Sequence, residues 1–167
     1  WSPDGTLIAI ADRASLRLCN AADGAEVAEL ERSGRTEFIH SMTWSPDGTL
    51  LATEDHDVVR LWQLTVGRWR GRARWRVVQT LAGHTGLVRA HAWSPDGSHL
   101  ASTGHDGTLR LWDPASGTEA SCIDTGHRGG AHSVGWSPDG RHLATGDDTG
   151  LVIVWDRDGR EVTSLVL

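Results

Sequence analysis

One pentapeptide, Trp-Ser-Pro-Asp-Gly, occurs four times in the chain, starting at Trp1, Trp44, Trp93 and Trp136. The intervals are 43, 49 and 43 residues. A period of this size means stacked supersecondary units rather than one irregular core. Each copy also carries turn chemistry. Proline presets φ at the first central position, aspartate bonds its own backbone, and glycine takes the position of positive φ. Every copy therefore marks a tight reversal between two strands, entered through a tryptophan.

The third repeat is the cleanest. After the turn Gly83-His84-Thr85-Gly86, the pattern predicts strands over Leu87–Trp93, His99–Thr103, Thr108–Trp112 and Thr118–Ile123. Gly, Pro and Asp clusters separate them, so one repeat is a four-stranded antiparallel meander. One face of such a sheet must be covered by the next repeat, which makes the repeats a stack.

The elements Gly83-His84, Trp93–Gly97, Leu100-Ala101-Ser102, Asp106-Gly107 and Leu111-Trp112-Asp113 resemble the WD40-repeat family of β-propellers. Repeat four has Gly126-His127, Trp136–Gly140, Leu143-Ala144-Thr145 and Val154-Trp155-Asp156, and repeat two has Trp44–Gly48, Leu51-Ala52-Thr53 and Leu61-Trp62. The resemblance implies an all-β fold of about four blades in an open, incomplete ring. It divides the chain into an incomplete blade one (residues 1–33) and blades two (34–82), three (83–125) and four (126–167).

The resemblance also implies a hydrogen-bonded tetrad in each good blade, since a buried His and an indole N–H must each find partners. In blade three it would join His84, Ser102, Asp106 and Trp112. Blade four keeps His127, Thr145 and Trp155, with Thr149 where Asp is expected and Asp148 one place early. Blade two keeps Thr53, Asp57 and Trp62, but has Arg35 for the His and a second turn one residue shorter. Blade one has Ile10 and Cys19 at the hydroxyl and Trp positions. The tetrad is expected complete only in blade three.

Repeat one begins at its first reversal, so its innermost strand is expected to be missing except for Trp1, and the true N-terminus with it. Open ends would expose apolar faces and strand edges, a route to self-association. The net charge of −6 disfavours nucleic acid and anionic membrane as general partners. The sixteen Lys and Arg positions are all Arg, a coding bias that leads one to expect a GC-rich bacterial genome. Cys19 and Cys122 sit at non-equivalent positions without metal spacing, which suits a reducing, cytoplasmic setting. No apolar run approaches membrane-spanning length.

The longer interval holds an insertion in which Arg68, Arg70, Arg72, Arg74 and Arg76 alternate with residues that include Trp69 and Trp75. As an extended arm it would put the guanidiniums on one face and the indoles on the other. That is a candidate contact for phosphate or an acidic partner. The acidity of the remaining chain favours the plainer reading, a lengthened outer hairpin with Trp on the sheet edge and Arg stems in solvent.

Eight of the nine histidines recur at repeat-equivalent positions (His84/His127, His99/His142, His40/His132 and His56/His105), which marks framework or rim rather than metal ligands, and no cofactor is expected. In WD-repeat proteins such rim positions look out on the top face and grip peptides. The resemblance assigns that role to Phe38, His40 and His56 in blade two, Leu87, Arg89 and His105 in blade three, and Gly130, His132 and Asp148 in blade four. No Gly-x-Ser-x-Gly elbow, Walker loop or His-Glu-x-x-His is present. The resemblance thus implies a non-catalytic module that binds a protein or peptide, with the sensor or regulatory part of a larger bacterial signalling protein as its expected setting. The alternatives are the propeller portion of an enzyme, such as a propeller-gated peptidase, or contact with nucleic acid or another anionic polymer through the insertion at residues 68–76.

Overall fold

The computed structural model describes residues 1–11, 15–30, 39, 41–66 and 73–167. Among these the chain forms fifteen strands and no helix. Alternating apolar and polar residues bounded by Gly, Pro and Asp leave each segment one choice, an extended strand between tight turns. β1 (Leu7–Ala11), β2 (Leu16–Asn20) and β3 (Glu26–Leu30) make a three-stranded sheet in the order β1-β2-β3. β4 (Met42–Trp44), β5 (Leu50–Asp55), β6 (Val58–Val66) and β7 (Ala73–Ala82) make the second sheet. The third sheet contains β8 (Val88–Trp93), β9 (Leu100–Gly104), β10 (Thr108–Asp113) and β11 (Thr118–Asp124). β12 (Ser133–Trp136), β13 (His142–Gly146), β14 (Leu151–Asp156) and β15 (Glu161–Val166) make the fourth. All pairings are antiparallel between chain neighbours, the meander that the sequence predicts.

Alternation sends side chains to both faces, and a neighbouring sheet covers each face of the middle ones. Leu100 and Trp112 of the third sheet join Ala52, Val59 and Leu61 of the second in one cluster. Ala101, Leu109 and Leu111, on the opposite face, meet Leu143, Ile153 and Trp155 of the fourth. Leu16 and Leu18 of the first sheet pack on Leu51, Trp62 and Trp75 of the second. The core is therefore a series of seams between sheets, not a single centre.

The register shifts by one residue at the same place in every sheet: Leu18/Cys19, Leu61/Trp62, Leu111/Trp112 and Val154/Trp155. A bulge re-aims the side chain beside it. Here the extra residue lies on the outer strand, at Val27, Val78, Ala120 and Val162, while the pairing of each third-strand Trp with the second strand stays in register.

The Ser-Pro-Asp-Gly turns stack on one another along one end of the sheets. The space beside Gly48 meets Pro3, that beside Gly97 meets Pro46, and that beside Gly140 meets Pro95, each at 3.5–3.7 Å. These glycines have φ near +70° and so admit no ordinary side chain. No helix among the described residues is long and apolar enough to cross a membrane.

Candidate interaction face

In blade three the Trp112 indole N–H donates to Ser102 Oγ at 2.8 Å. Ser102 Oγ lies 2.7 Å from His84 Nε2, and His84 Nδ1 lies 3.0 Å from Asp106. Because the indole can only donate and the carboxylate only accept, the chain of bonds runs one way. Ser102 O–H donates to Nε2, and the Nδ1–H of a neutral His84 donates to Asp106. Burial, with the Arg110 charge adding to it, lowers the His84 pKa despite the carboxylate beside it. Burial raises the Asp106 carboxyl, but bonds from the Thr85 N–H, His84 and Thr108 outweigh it and hold the group at about 2. Ser102 is fully buried with its oxygen occupied on both sides, so this Ser-His-Asp set is framework with no route for a substrate.

Blade four carries the same relay, and this corrects the expectation that only blade three would be complete. Trp155 donates to Thr145 Oγ1 at 2.9 Å, Thr145 Oγ1 lies 2.9 Å from His127 Nε2, and His127 Nδ1 lies 3.0 Å from Asp147. The carboxylate comes from Asp147, neither Thr149 nor Asp148. Thr149 instead donates its N–H and hydroxyl to Asp147 at 2.9 and 2.7 Å. A readable signal existed: Asp106-x-Thr108 and Asp147-x-Thr149 share the spacing of an Asp whose carboxylate takes the N–H two residues on.

Blade two keeps the Trp62 indole bond to Thr53 Oγ1 at 2.9 Å. Asp57 is corrected: it is exposed in the turn after β5 and makes no hydrogen bond to this pair. The turn has only two central residues, His56 and Asp57, too short to fold a carboxylate back over the strand. Asp55 instead pairs with Arg60 at 2.6 Å. In blade one Ile10 is exposed and Cys19 half-buried.

The rim residues come from loops at the end of the sheets opposite the Ser-Pro-Asp-Gly turns. They are linked across the seams by backbone bonds. The Val88 N–H donates to the His56 carbonyl at 2.8 Å, and the Ala131 N–H to that of Gly104 at 3.1 Å. The His105 and His132 rings, from blades three and four, lie 5.7 Å apart at 43°. His132 Nε2 is buried without a partner, while Leu87, His56, His105 and Asp148 are exposed and Arg89 half-exposed. Gly130 lies against the His105 backbone, where a Cβ would approach within 2.8 Å. Phe38, His40 and Arg35 lie outside the described residues.

Of the arginine arm, Arg68, Arg70 and Arg72 also lie outside the described residues. Arg74 and Arg76 are exposed on β7, and Trp75 between them is buried, edge-on to Trp44 with centroids 5.4 Å apart. Among the described residues, no group of three or more His, Cys, Asp or Glu side chains is placed to hold a metal ion.

The family model described as "WD domain, G-beta repeat" matches residues 26–63, 75–113 and 120–156. Each match starts on the outer strand of one sheet and ends on the third strand of the next, so the sequence repeat straddles a seam. Comparison with curated proteins finds no match.

Proposed function

The chain belongs to the WD-repeat family, and from that premise we propose that it is a non-catalytic scaffold that grips a protein or peptide along the rim formed by His56, Leu87, Arg89, His105, His132 and Asp148. Repeats of this family serve generally as protein-interaction scaffolds. The observation that carries the reading is the run of side chains across two seams, centred on the His105–His132 ring contact. An exposed Leu beside Arg and imidazole groups offers an apolar anchor with polar neighbours, the composition of a binding hot spot. Role in a bacterial signalling protein and a cytoplasmic setting are the part of the proposal that rests on the sequence alone, on arginine-only coding and two free thiols.

Selection from a displayed random-peptide library tests the reading. Peptides recovered on the full chain are expected to lose binding to Arg89→Ala and His105→Ala variants. They should keep it with Arg141→Ala, an exposed change at the Ser-Pro-Asp-Gly end. Peptides that ignore both rim changes would overturn the assignment.

A further inference from the structure

The seam between the third and fourth sheets contains a guanidinium. Arg157, two residues past the tetrad Trp155, lies 3.4 Å from the turn carboxylate of Asp96 on the preceding sheet. Its Cζ sits 5.9 Å from the ring centroid of Trp136 on its own sheet. One cation thus bridges a turn Asp and a repeat Trp across the seam.

The seam between the first and second sheets has the same two walls in the same repeat positions, Asp4 and Trp44. The residue two past Trp62 is Leu64, which brings no charge. The space is instead a cavity of about 390 Å³ lined by Asp4, Trp44, Asp47, Gln63, Leu64 and Trp75, among others. Trp44 and Trp75 meet at 78°, giving two aromatic walls instead of one. Trp75 is only 7% exposed, so its ring forms a closed wall of the cavity. Bonds from Ser2 and Thr6 lower the Asp4 carboxyl, and those from Ser45 and Thr49 lower Asp47, so both stay charged at neutral pH.

We propose that this cavity is a binding site for an arginine side chain of a partner peptide, which occupies the first seam as Arg157 occupies the last. The guanidinium lies against the indole faces, where cation–π attraction operates, with Asp4 and Asp47 supplying the opposite charge. The site lies at the Ser-Pro-Asp-Gly end of the sheets and is separate from the rim.

Titrating acetyl-Gly-Arg-Gly-amide into the full chain while recording tryptophan fluorescence tests the proposal, with acetyl-Gly-Gln-Gly-amide as control. The arginine peptide is expected to give a saturable change and the glutamine peptide none. Asp4→Asn should weaken binding about threefold, the size of an exposed ion pair. Leu64→Arg should abolish it, because the cavity then holds its own guanidinium, and its thermal midpoint should not fall. Equal responses to the two peptides, or an arginine response undiminished in Leu64→Arg, would overturn the assignment. Should Leu64→Arg unfold the chain, the Asp4→Asn/Asp47→Asn variant decides: unchanged affinity there refutes the site.

Discussion

The indole N–H of Trp136 donates to the carbonyl of Ala92 at 3.2 Å, and Ala92 is the residue just before the tryptophan of the preceding repeat. Trp93 makes the same bond to Thr43, just before Trp44, at 3.3 Å. Trp93 and Trp136 thus each fasten their sheet to the one before.

The bond is measurable. Trp93→Phe removes it and is expected to lose at least about 1 kcal/mol of stability, the net worth of one hydrogen bond. The urea midpoint of the variant against that of the unaltered chain checks it, and an unchanged midpoint would deny the bond its role.

The relay in blade four places its weight on one of two adjacent carboxylates. Asp147→Asn is expected to lower the denaturation midpoint, because a neutral amide is a weaker acceptor for the His127 N–H and for the turn donors. Asp148→Asn, at an exposed position, should leave it unchanged. The opposite ranking in a urea melt would return the role to Asp148.

Acid should weaken the seam between the second and third sheets. His91 is fully enclosed there, donating Nε2–H to the Ala52 carbonyl at 3.2 Å, with a Glu54 oxygen 4.0 Å from Nδ1, beyond hydrogen-bond reach. Burial pushes its pKa from 6.5 down to about 4, so the folded chain holds the neutral imidazole. Above pH 6.5 both states are neutral and the stability is fully present. Between 6.5 and about 4 the unfolded chain takes up a proton that the folded chain refuses, so stability falls as pH falls. The His91 contribution to the slope approaches about 1.4 kcal/mol per pH unit, and His91→Gln should remove it while leaving the contribution of His84, whose pKa burial also lowers. A flat wild-type profile in this window would mean that Glu54 holds an imidazolium instead.

His56 carries a backbone cost. It has φ of 63°, the only positive value at a residue other than Gly among the described residues, and it occupies the first central position of a two-residue hairpin. That position belongs to glycine in the turn with this sign pattern. His56→Gly is expected to raise stability by about 1 kcal/mol, read as a higher thermal midpoint. Under the proposed function it should also weaken partner binding.

The fold was legible because each decisive residue acts locally. Pro95, Asp96 and Gly97 make a turn with no help from distant parts of the chain, and Leu109 and Leu111 alternate with polar neighbours whatever covers them. The site depended on details that spacing does not encode. Asp147 and Asp148 are adjacent, and which of them reaches His127 is set by the backbone path of the turn. Asp57 was misread because deleting one turn residue changes direction as well as length. The bulge opposite each third-strand Trp, at Ala120 in the third sheet, leaves no mark in composition. The cavity beside Leu64 was hidden for a different reason: it is defined by an arginine present only in another repeat.

The stacked prolines and glycines act as a spine. Because Pro46 rests on Gly97 just as Pro3 rests on Gly48, the step from one sheet to the next is fixed at that end whatever happens farther out. The six residues by which the second interval exceeds its neighbours are therefore absorbed at the outer hairpin between β6 and β7. The periphery is free to vary in length while the pitch of the stack stays constant.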